Sequence, residues 1–473
     1  MKRYFVLGIM CVLAVCGIQA ESESLNIFLT HPQTRYANMS ILIKDMQTGK
    51  VIESYRNRNI VPPASCIKTL TTATALEILG SDYRYPTYLE YSGYIEKGVL
   101  HGNLYIVGQG DPTLGSSKDG KGFLKKWVKV IQEAGIKKID GSVVADLSYF
   151  DGDAFNPAWL MEDQSNYYAP GIFSIAYMDN TMNIVLQSDE PGTIAKVLYT
   201  VPEVPGMQFE NHIRCTYTEE DGAFVYGMPY SNSRYLTGSV PSKRGTFGIK
   251  GDLPNPGLLL AQHFSKQLNQ AGISTTQIPS YISEGNLQTR ERLYTHLSDT
   301  LGAIVARTNI HSNNLFAETI YRTLASRLGT PCTIHNSEMM VRNFWMNRGV
   351  DIRSAIIKDG CGLAPQDAVS AESFVQLLEY MSQSTNRDVF LASLPVSGKS
   401  GTLTGFLDGT ELEGRVHAKS GTISGTRNYV GYIFLPDGRK WVFAVLINSA
   451  SGKMKTVGPV IEKYLLDVYH RNK

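Results

Sequence analysis

Much that would steer the reading of a chain is missing from this one. Its 473 residues contain no low-complexity run and no long acidic or basic block, which leaves neither a disordered tail nor a polybasic arm to explain. Cysteine is scarce, six in all, and with no Cys-x-x-Cys and no neighbouring histidine pair a zinc site is not expected. Gly108-Gln109-Gly110-Asp111-Pro112-Thr113 lacks the third glycine and the following helix of a dinucleotide loop, so phosphate binding is set aside. Nothing resembles a Gly-x-Ser-x-Gly elbow with ordered acid and histidine partners. The formal charge is only +2, and no feature attracts nucleic acid or an anionic bilayer.

The first twenty residues stand apart. Lys2 and Arg3 precede an apolar run from Tyr4 to Ile18, and small Ala20 is followed by polar Glu21-Ser22-Glu23. This pattern predicts a secretory signal over residues 1–20 rather than a spanning helix, hence an exported, periplasmic protein. Removing it takes two basic residues and leaves 43 basic against 43 acidic, a mature charge of about zero. Lipid attachment at Cys16 stays open, Val15 being a poor residue before a lipidated cysteine. Cys66, Cys215, Cys332 and Cys361 remain; four cysteines allow three full pairings, and sequence does not choose among them. Cys66 is expected to be a small buried thiol without a bridge.

The length predicts two or three domains. Residues 39–55 read as a hairpin around Met46-Gln47-Thr48-Gly49. Short strands follow over 88–95, 99–107 and 141–146, and residues 150–250 are rich in Tyr, Asn, Gly and Pro. Helices are expected at 123–134, 256–271, 315–328, 371–381 and 457–469. The last strands are the clearest: Arg415 to Ala418, Arg427 to Phe434, and Lys440 to Ile447, the last two joined by Leu435-Pro436-Asp437-Gly438. Sheet at both ends with helices and a β-rich block between them fits one discontinuous α/β domain carrying an insertion.

The chemistry centres on Pro62-Pro63-Ala64-Ser65-Cys66-Ile67-Lys68. Two prolines fix an extended approach, and residues 68–79 carry leucines and alanines at helical spacing until Gly80. Lys68 therefore lies on the same helical face as Ser65, a nucleophile beside a candidate base. Ser65 is the only serine followed three residues on by lysine. Alone, the pair also fits a capping serine with a surface lysine. Two further stretches change the weighing. His311-Ser312-Asn313-Asn314 precedes a helix, although Ser-x-Asn is common and Ser312 could be only a cap. Lys419-Ser420-Gly421-Thr422 runs along the strand before the final hairpin, where Lys419 offers a fixed charge, Gly421 lets a ligand lie along the edge, and the Thr422 amide can face an oxyanion. The same four letters at Lys399-Ser400-Gly401-Thr402 sit in loop-like text, so the later copy is preferred.

Ser-x-x-Lys, Ser-x-Asn and Lys-Ser-Gly in this order resemble the penicillin-recognising serine acyltransferases. The 247 positions between Ser65 and Ser312 exceed a compact β-lactamase and resemble the penicillin-binding protein 4 type of D-alanyl-D-alanine carboxypeptidases, peptidase family S13. Similar text continues in Gly110-Asp111-Pro112-Thr113-Leu114, Tyr168-Ala169-Pro170, Asp179-Asn180, Asp359-Gly360-Cys361-Gly362-Leu363, Leu394-Pro395-Val396 and Gly401-Thr402-Leu403. The resemblance implies an antiparallel sheet flanked by helices, formed by residues 21–85 and 290–473, with 86–289 inserted as two small β-rich domains. It implies a D-alanyl-D-alanine carboxypeptidase, and an endopeptidase on crosslinks by the same chemistry, acting on peptidoglycan stem peptides and acylated by β-lactams, with no metal or organic cofactor.

In that reading Ser65 is the nucleophile, Lys68 its base, Ser312 a proton relay, Asn314 a holder of Lys68 and substrate, and Lys419 the carboxylate anchor. Ser420, Gly421 and Thr422 bind substrate, and Asp146 matches a family position that reaches toward the amino group of a diamino-acid stem residue; a solvated loop aspartate is an equal alternative. Two departures stand out. The usual serine and arginine of the Asp-Gly-Ser-Gly-Leu-Ser-Arg stretch are Cys361 and Pro365 here, which touches stem-peptide preference rather than acylation. A β-lactamase or esterase of the same superfamily is the nearest alternative, although no Glu-x-x-Leu-Asn loop occurs; a non-catalytic wall-binding protein is another. Oligomeric state, including a homo-oligomer, is left open.

Overall fold

In the computed structural model, which describes residues 22–116, 122–151, 154–285 and 288–473, the hairpin at 39–55 forms from strands Asn38–Asp45 and Val51–Tyr55. The Asp45 carboxylate accepts the amides of Gln47 and Thr48 and the Thr48 hydroxyl, and Gly49 takes the positive φ the turn needs. The expected signal at 1–20 lies outside the described residues.

That hairpin is one edge of a five-stranded antiparallel sheet. Its order is Val51–Tyr55, Asn38–Asp45, Lys440–Asn448, Thr426–Phe434 and Val416–Ile423, so the two ends of the chain meet at its centre, with Ile41 opposite Val445. Alternation sorts the side chains to two faces. Ile41, Ile43, Phe443, Val445 and Ile447 pack under the helices Glu23–Thr30 and Met454–Asn472, where Phe28 stacks on Tyr464 with ring centroids 4.4 Å apart. Leu42, Val430, Tyr432, Val442, Ala444 and Leu446 face the other helical layer.

At the heart of that layer is the helix Ile67–Leu79, closed by Gly80 as its sequence predicts. It is buried on every side from Ile67 to Leu76, which explains its weak amphipathic pattern. Thr72 and Thr74 turn their hydroxyls back onto carbonyls of their own helix, and Thr69 donates to the Cys66 carbonyl just before it, so these buried hydroxyls are satisfied. Around it pack Leu301–Ile310, Asn314–Leu324, Ile334–Met346 and Ala371–Met381. The first and third of these helices were not foreseen from periodicity.

Between residues 84 and 300 the chain leaves this layer and returns beside its exit, Arg84 pairing opposite Thr300. The excursion contains a five-stranded sheet ordered Ser280–Ile282, Val143–Asp146, Leu104–Gly108, Arg84–Tyr91 and Glu291–Thr300, and three smaller sheets. Helices Gly122–Glu133 and Pro256–Gln270 pack through Trp127 and Phe264 into a second apolar core. The whole is a mixed fold, an antiparallel sheet between helices with a β-rich excursion.

Candidate active site

Ser65 stands on the single 3-10 turn Ala64–Cys66 that leads into the buried helix. Ala64 is held at φ 46°, a left-handed conformation that alanine adopts at a cost. Gly362 presses on this turn so closely that a side chain there would meet the Ala64 carbonyl oxygen at 2.1 Å. Lys68, one turn on and fully buried, points back: its Nζ lies 3.0 Å from Ser65 Oγ and donates to Asn314 Oδ1 and to the Cys361 carbonyl, both at 2.6 Å. Burial holds its ammonium below the ordinary lysine range.

Three distant segments supply the partners. Asn313, not Ser312, caps the helix Asn314–Leu324 by accepting the Phe316 amide, which frees Ser312 at φ 53° for another role. Asn314 is oriented by donating its Nδ2 to the Tyr168 carbonyl at 2.8 Å, and so turns its Oδ1 toward Lys68. Tyr168 in turn donates its phenol to Asp163 at 2.9 Å. On the sheet edge, Lys419 Nζ donates to Ser312 Oγ at 3.0 Å and to the Ser420 carbonyl at 2.7 Å. Burial, with the positive charge of Lys68 behind it, brings the Lys419 ammonium down to about 7.

Gly421 lets this strand lie on the nucleophile's turn, the position of its missing Cβ being 2.5 Å from the Pro63 carbonyl oxygen and 3.1 Å from the Ser65 amide. The Cys66 thiol closes the same contact by donating to the Lys419 carbonyl, and burial pushes that thiol up to about 12. Ser420 Oγ donates to Thr402 Oγ1 at 2.7 Å, so the earlier Lys-Ser-Gly-Thr copy contributes its threonine while its Lys399 is ion-paired with Glu413 at the surface. Thr422 is exposed at the cleft and accepts Arg427 Nη1 at 2.7 Å.

Behind Lys68 the Asp359 carboxylate gathers the loop that supplies the Cys361 carbonyl. It accepts four backbone amides, from Cys361, Gly362, Leu363 and Ala364, and the Trp159 indole. Glu318, one turn below Asn314, accepts the Gly360 amide at 2.5 Å, and burial, with Asp359 beside it, raises its carboxyl to about 8. Glu318, Asp359 and Cys361 approach one another within 4.8 Å. The carboxylate oxygens of Asp359 already serve this loop, so the trio works as a backbone anchor.

Ser65, Ser312, Asn314 and Thr422 line one cleft of about 460 Å³, with Lys68 and Lys419 in its floor. Asp146 is not among the residues that line this cleft. It ends the strand Val143–Asp146 almost fully buried, its carboxylate ion-paired to Arg290 Nη1 at 2.6 Å and accepting the Ser148 amide and hydroxyl. Its charge is thus matched within the protein by Arg290. Glu162 and Asp163 line the cleft instead, and Pro365 stands where the resemblance expects an arginine. Sequence reading missed Arg427, Asp163 and Thr402; for Arg427 a signal existed, since the hairpin register places it opposite Thr422. The four cysteines among the described residues are free and buried.

Both the sequence and the fold have known counterparts. The sequence model of the D-Ala-D-Ala carboxypeptidase 3 (S13) family matches residues 21–463. A D-alanyl-D-alanine carboxypeptidase of Actinomadura sp. (strain R39) is 26% identical over 453 residues, covering 91% of this chain and 81% of that one. A D-alanyl-D-alanine carboxypeptidase of Haemophilus influenzae is 25% identical over 432 residues, covering 89% and 88%. The crystal structure of penicillin binding protein 4 from H. influenzae superposes with a TM-score of 0.81 at 23% identity, over 94% of this chain and 98% of that one.

Proposed function

Because the chain belongs to the D-Ala-D-Ala carboxypeptidase S13 family, we propose that its cleft hydrolyses the terminal D-alanyl-D-alanine bond of peptidoglycan stem peptides through an acyl-enzyme on Ser65. The observation that carries the proposal is the buried amine of Lys68 at 3.0 Å from Ser65 Oγ, with the Lys419–Ser312 pair across the same cleft.

A serine hydroxyl is a weak nucleophile until a base takes its proton. Burial favours the neutral amine of Lys68, which accepts the Ser65 proton as Oγ attacks the carbonyl between the two D-alanines. The amides of Ser65 and Thr422 receive the oxyanion, and losing one such donor typically costs ~100-fold or more. The proton then passes through Ser312 to the departing amine as the C–N bond breaks, leaving an ester on Ser65 and free D-alanine. Asn314 fixes Lys68 and the substrate backbone. Lys419, with the hydroxyls of Ser420 and Thr422, holds the terminal carboxylate, and the Arg427 guanidinium beside Thr422 adds a cation that the Pro365 position lacks. Water attacks the ester as it gives a proton to Lys68, and Lys68 returns that proton to Ser65 Oγ as the acyl–oxygen bond breaks and the shortened peptide leaves. A β-lactam acylates Ser65 the same way and leaves slowly, since its amine stays tethered.

D-alanyl crosslinks present the same carbonyl, so endopeptidase action uses the same atoms and is measured by digestion of dimeric muropeptides. Among the described residues no helix is long and apolar enough to cross a membrane; residues 1–20 support export to the periplasm, which amino-terminal sequencing of the secreted chain tests. The function itself is tested by mass spectrometry after benzylpenicillin treatment. A single adduct on the peptide containing Ser65, absent from Ser65→Ala, is expected. Rapid turnover of a chromogenic cephalosporin without a lasting adduct would favour a β-lactamase.

A further inference from the structure

Outside the cleft, the described residues gather exposed rings on one small sheet of the excursion. Strands Gln208–Asn211, Gly222–Gly227 and Ser233–Pro241 pair so that Tyr226 and Glu210 both lie opposite Tyr235, and Gln208 opposite Ser233. Alternation sends Val225 and Leu236 into the core and leaves Phe224, Tyr226 and Tyr235 on the outer face. The Phe224 and Tyr226 rings are parallel within 5° and 6.3 Å apart, and Tyr226 and Tyr235 are also 6.3 Å apart. Phe224 and Tyr235 remain 45% and 41% exposed.

A groove of about 510 Å³ runs over Tyr226 and Tyr235, bordered by Gln208, Glu210, Ser233 and Met161. Its floor is built rather than incidental. Arg234 is 1% exposed, paired with Asp252 at 2.8 Å, and its Nη1 donates to the Ser231 and Ser233 carbonyls at 2.6 and 2.9 Å, fixing the turn that carries the groove. Met161 is the link to the chemistry. It lines this groove, while Leu160, Glu162 and Asp163 on either side of it line the catalytic cleft. The two concavities share one loop as a wall.

We propose that this groove holds the N-acetylhexosamine glycan that carries the stem peptide; the inference rests on the peptidase reading above. Exposed rings in a row mark a binding surface, and a flat phenol face packs against the C–H face of a pyranose. The amide, carboxylate and hydroxyl on the rim match sugar hydroxyls and an acetamido group. Glycan bearing a stem has its muramyl carboxyl tied up in the peptide bond, hence is uncharged there. That suits a groove with Glu210 on its rim and its one cation, Arg234, already paired. Four extended stem residues put the sugar on the order of 13 Å from the scissile carbonyl, outside the catalytic cleft itself.

The test compares two substrates, free stem pentapeptide and the same pentapeptide on an N-acetylglucosaminyl-N-acetylmuramyl disaccharide. The disaccharide form is expected to show a KM ~fivefold to tenfold lower, the worth of one or two ring contacts. Tyr226→Ala with Tyr235→Ala should erase the difference while kcat and benzylpenicillin acylation persist, and Tyr→Phe at both positions should restore it. Retained acylation shows that the variants fold. Equal KM values in the parent chain, or a difference that survives the double alanine variant, would overturn the proposal. So would a dimer, seen by sedimentation, that the double variant breaks. NMR titration with the disaccharide whose muramyl carboxyl is capped as a simple amide separates the two readings: binding without turnover of either peptide would remove the peptidase and keep the groove, whereas turnover without binding would do the reverse.

Discussion

Replacing Gly421 by alanine tests whether the Lys-Ser-Gly strand must lie against the nucleophile. The new Cβ would stand 2.5 Å from the Pro63 carbonyl oxygen, 3.0 Å from the Cys66 amide and 3.1 Å from the Ser65 amide, where ordinary contact begins near 3.4 Å. All three neighbours are backbone, so none can swing aside. The strand and the turn must part by about 0.9 Å at the tightest point, and the Thr422 amide, one residue on, moves with the strand. Overpacking of this kind costs ~1–3 kcal/mol of stability, while a misplacement of ~1 Å at reacting groups can cost ~100-fold in rate. Gly421 has no positive φ, so the effect is steric rather than conformational. The second-order rate of acylation by a fluorescent penicillin should fall ~100-fold with only a modest drop in Tm. Gly405→Ala, whose Cβ meets nothing within 4 Å, is the control and should acylate at the parent rate. Acylation of Gly421→Ala at the parent rate would refute the arrangement of the cleft.

The state of Lys419 sets a second expectation. Its ammonium titrates at about 7, so the positive charge that holds a ligand carboxylate is present below that pH and lost as pH rises through it. Acylation by a penicillin should therefore weaken above about pH 7 relative to acylation by its methyl ester, and superimposable profiles for acid and ester would count against Lys419 as the carboxylate anchor. A third concerns the buried Arg234–Asp252 pair, with side chains 0% and 1% exposed. Asp252→Ala leaves a guanidinium in the core without its counter-charge and should cost ~3–5 kcal/mol, read by urea unfolding; a loss below about 1 kcal/mol would show that the pair is not what braces this region.

How much of this was legible in the letters differs from element to element. The helix Ala371–Met381 and the strands around Thr426–Phe434 and Lys440–Asn448 follow their patterns within a residue or so, because turn residues or caps bound them. Leu301–Ile310 and Ile334–Met346 escaped notice: each mixes polar residues into faces that tertiary packing buries, so the 3.6-residue signal is faint. In the cleft, Ser65, Lys68, Ser312, Asn314 and Lys419 do come together, since short motifs carry their chemistry in the residue types themselves. Asp146 did not follow, because its partner Arg290 lies 144 positions away and no local pattern announces an ion pair. Thr402 stands in the earlier Lys-Ser-Gly-Thr copy and Asp163 only five residues before Tyr168, yet neither contact could be read, because each forms only once the loops are folded.

The meeting of Ile41 with Val445 at the centre of the main sheet has a consequence for biogenesis. The first strand finds its hairpin partner at once but lacks its other neighbour until roughly four hundred further residues have been made, so the main sheet that floors the nucleophile's helix stays incomplete during most of synthesis. The excursion, whose sheets close among themselves, can mature first and wait. Activity should thus switch on late and all at once, and trimming a few turns from the carboxy terminus should silence an enzyme whose reacting groups all lie elsewhere.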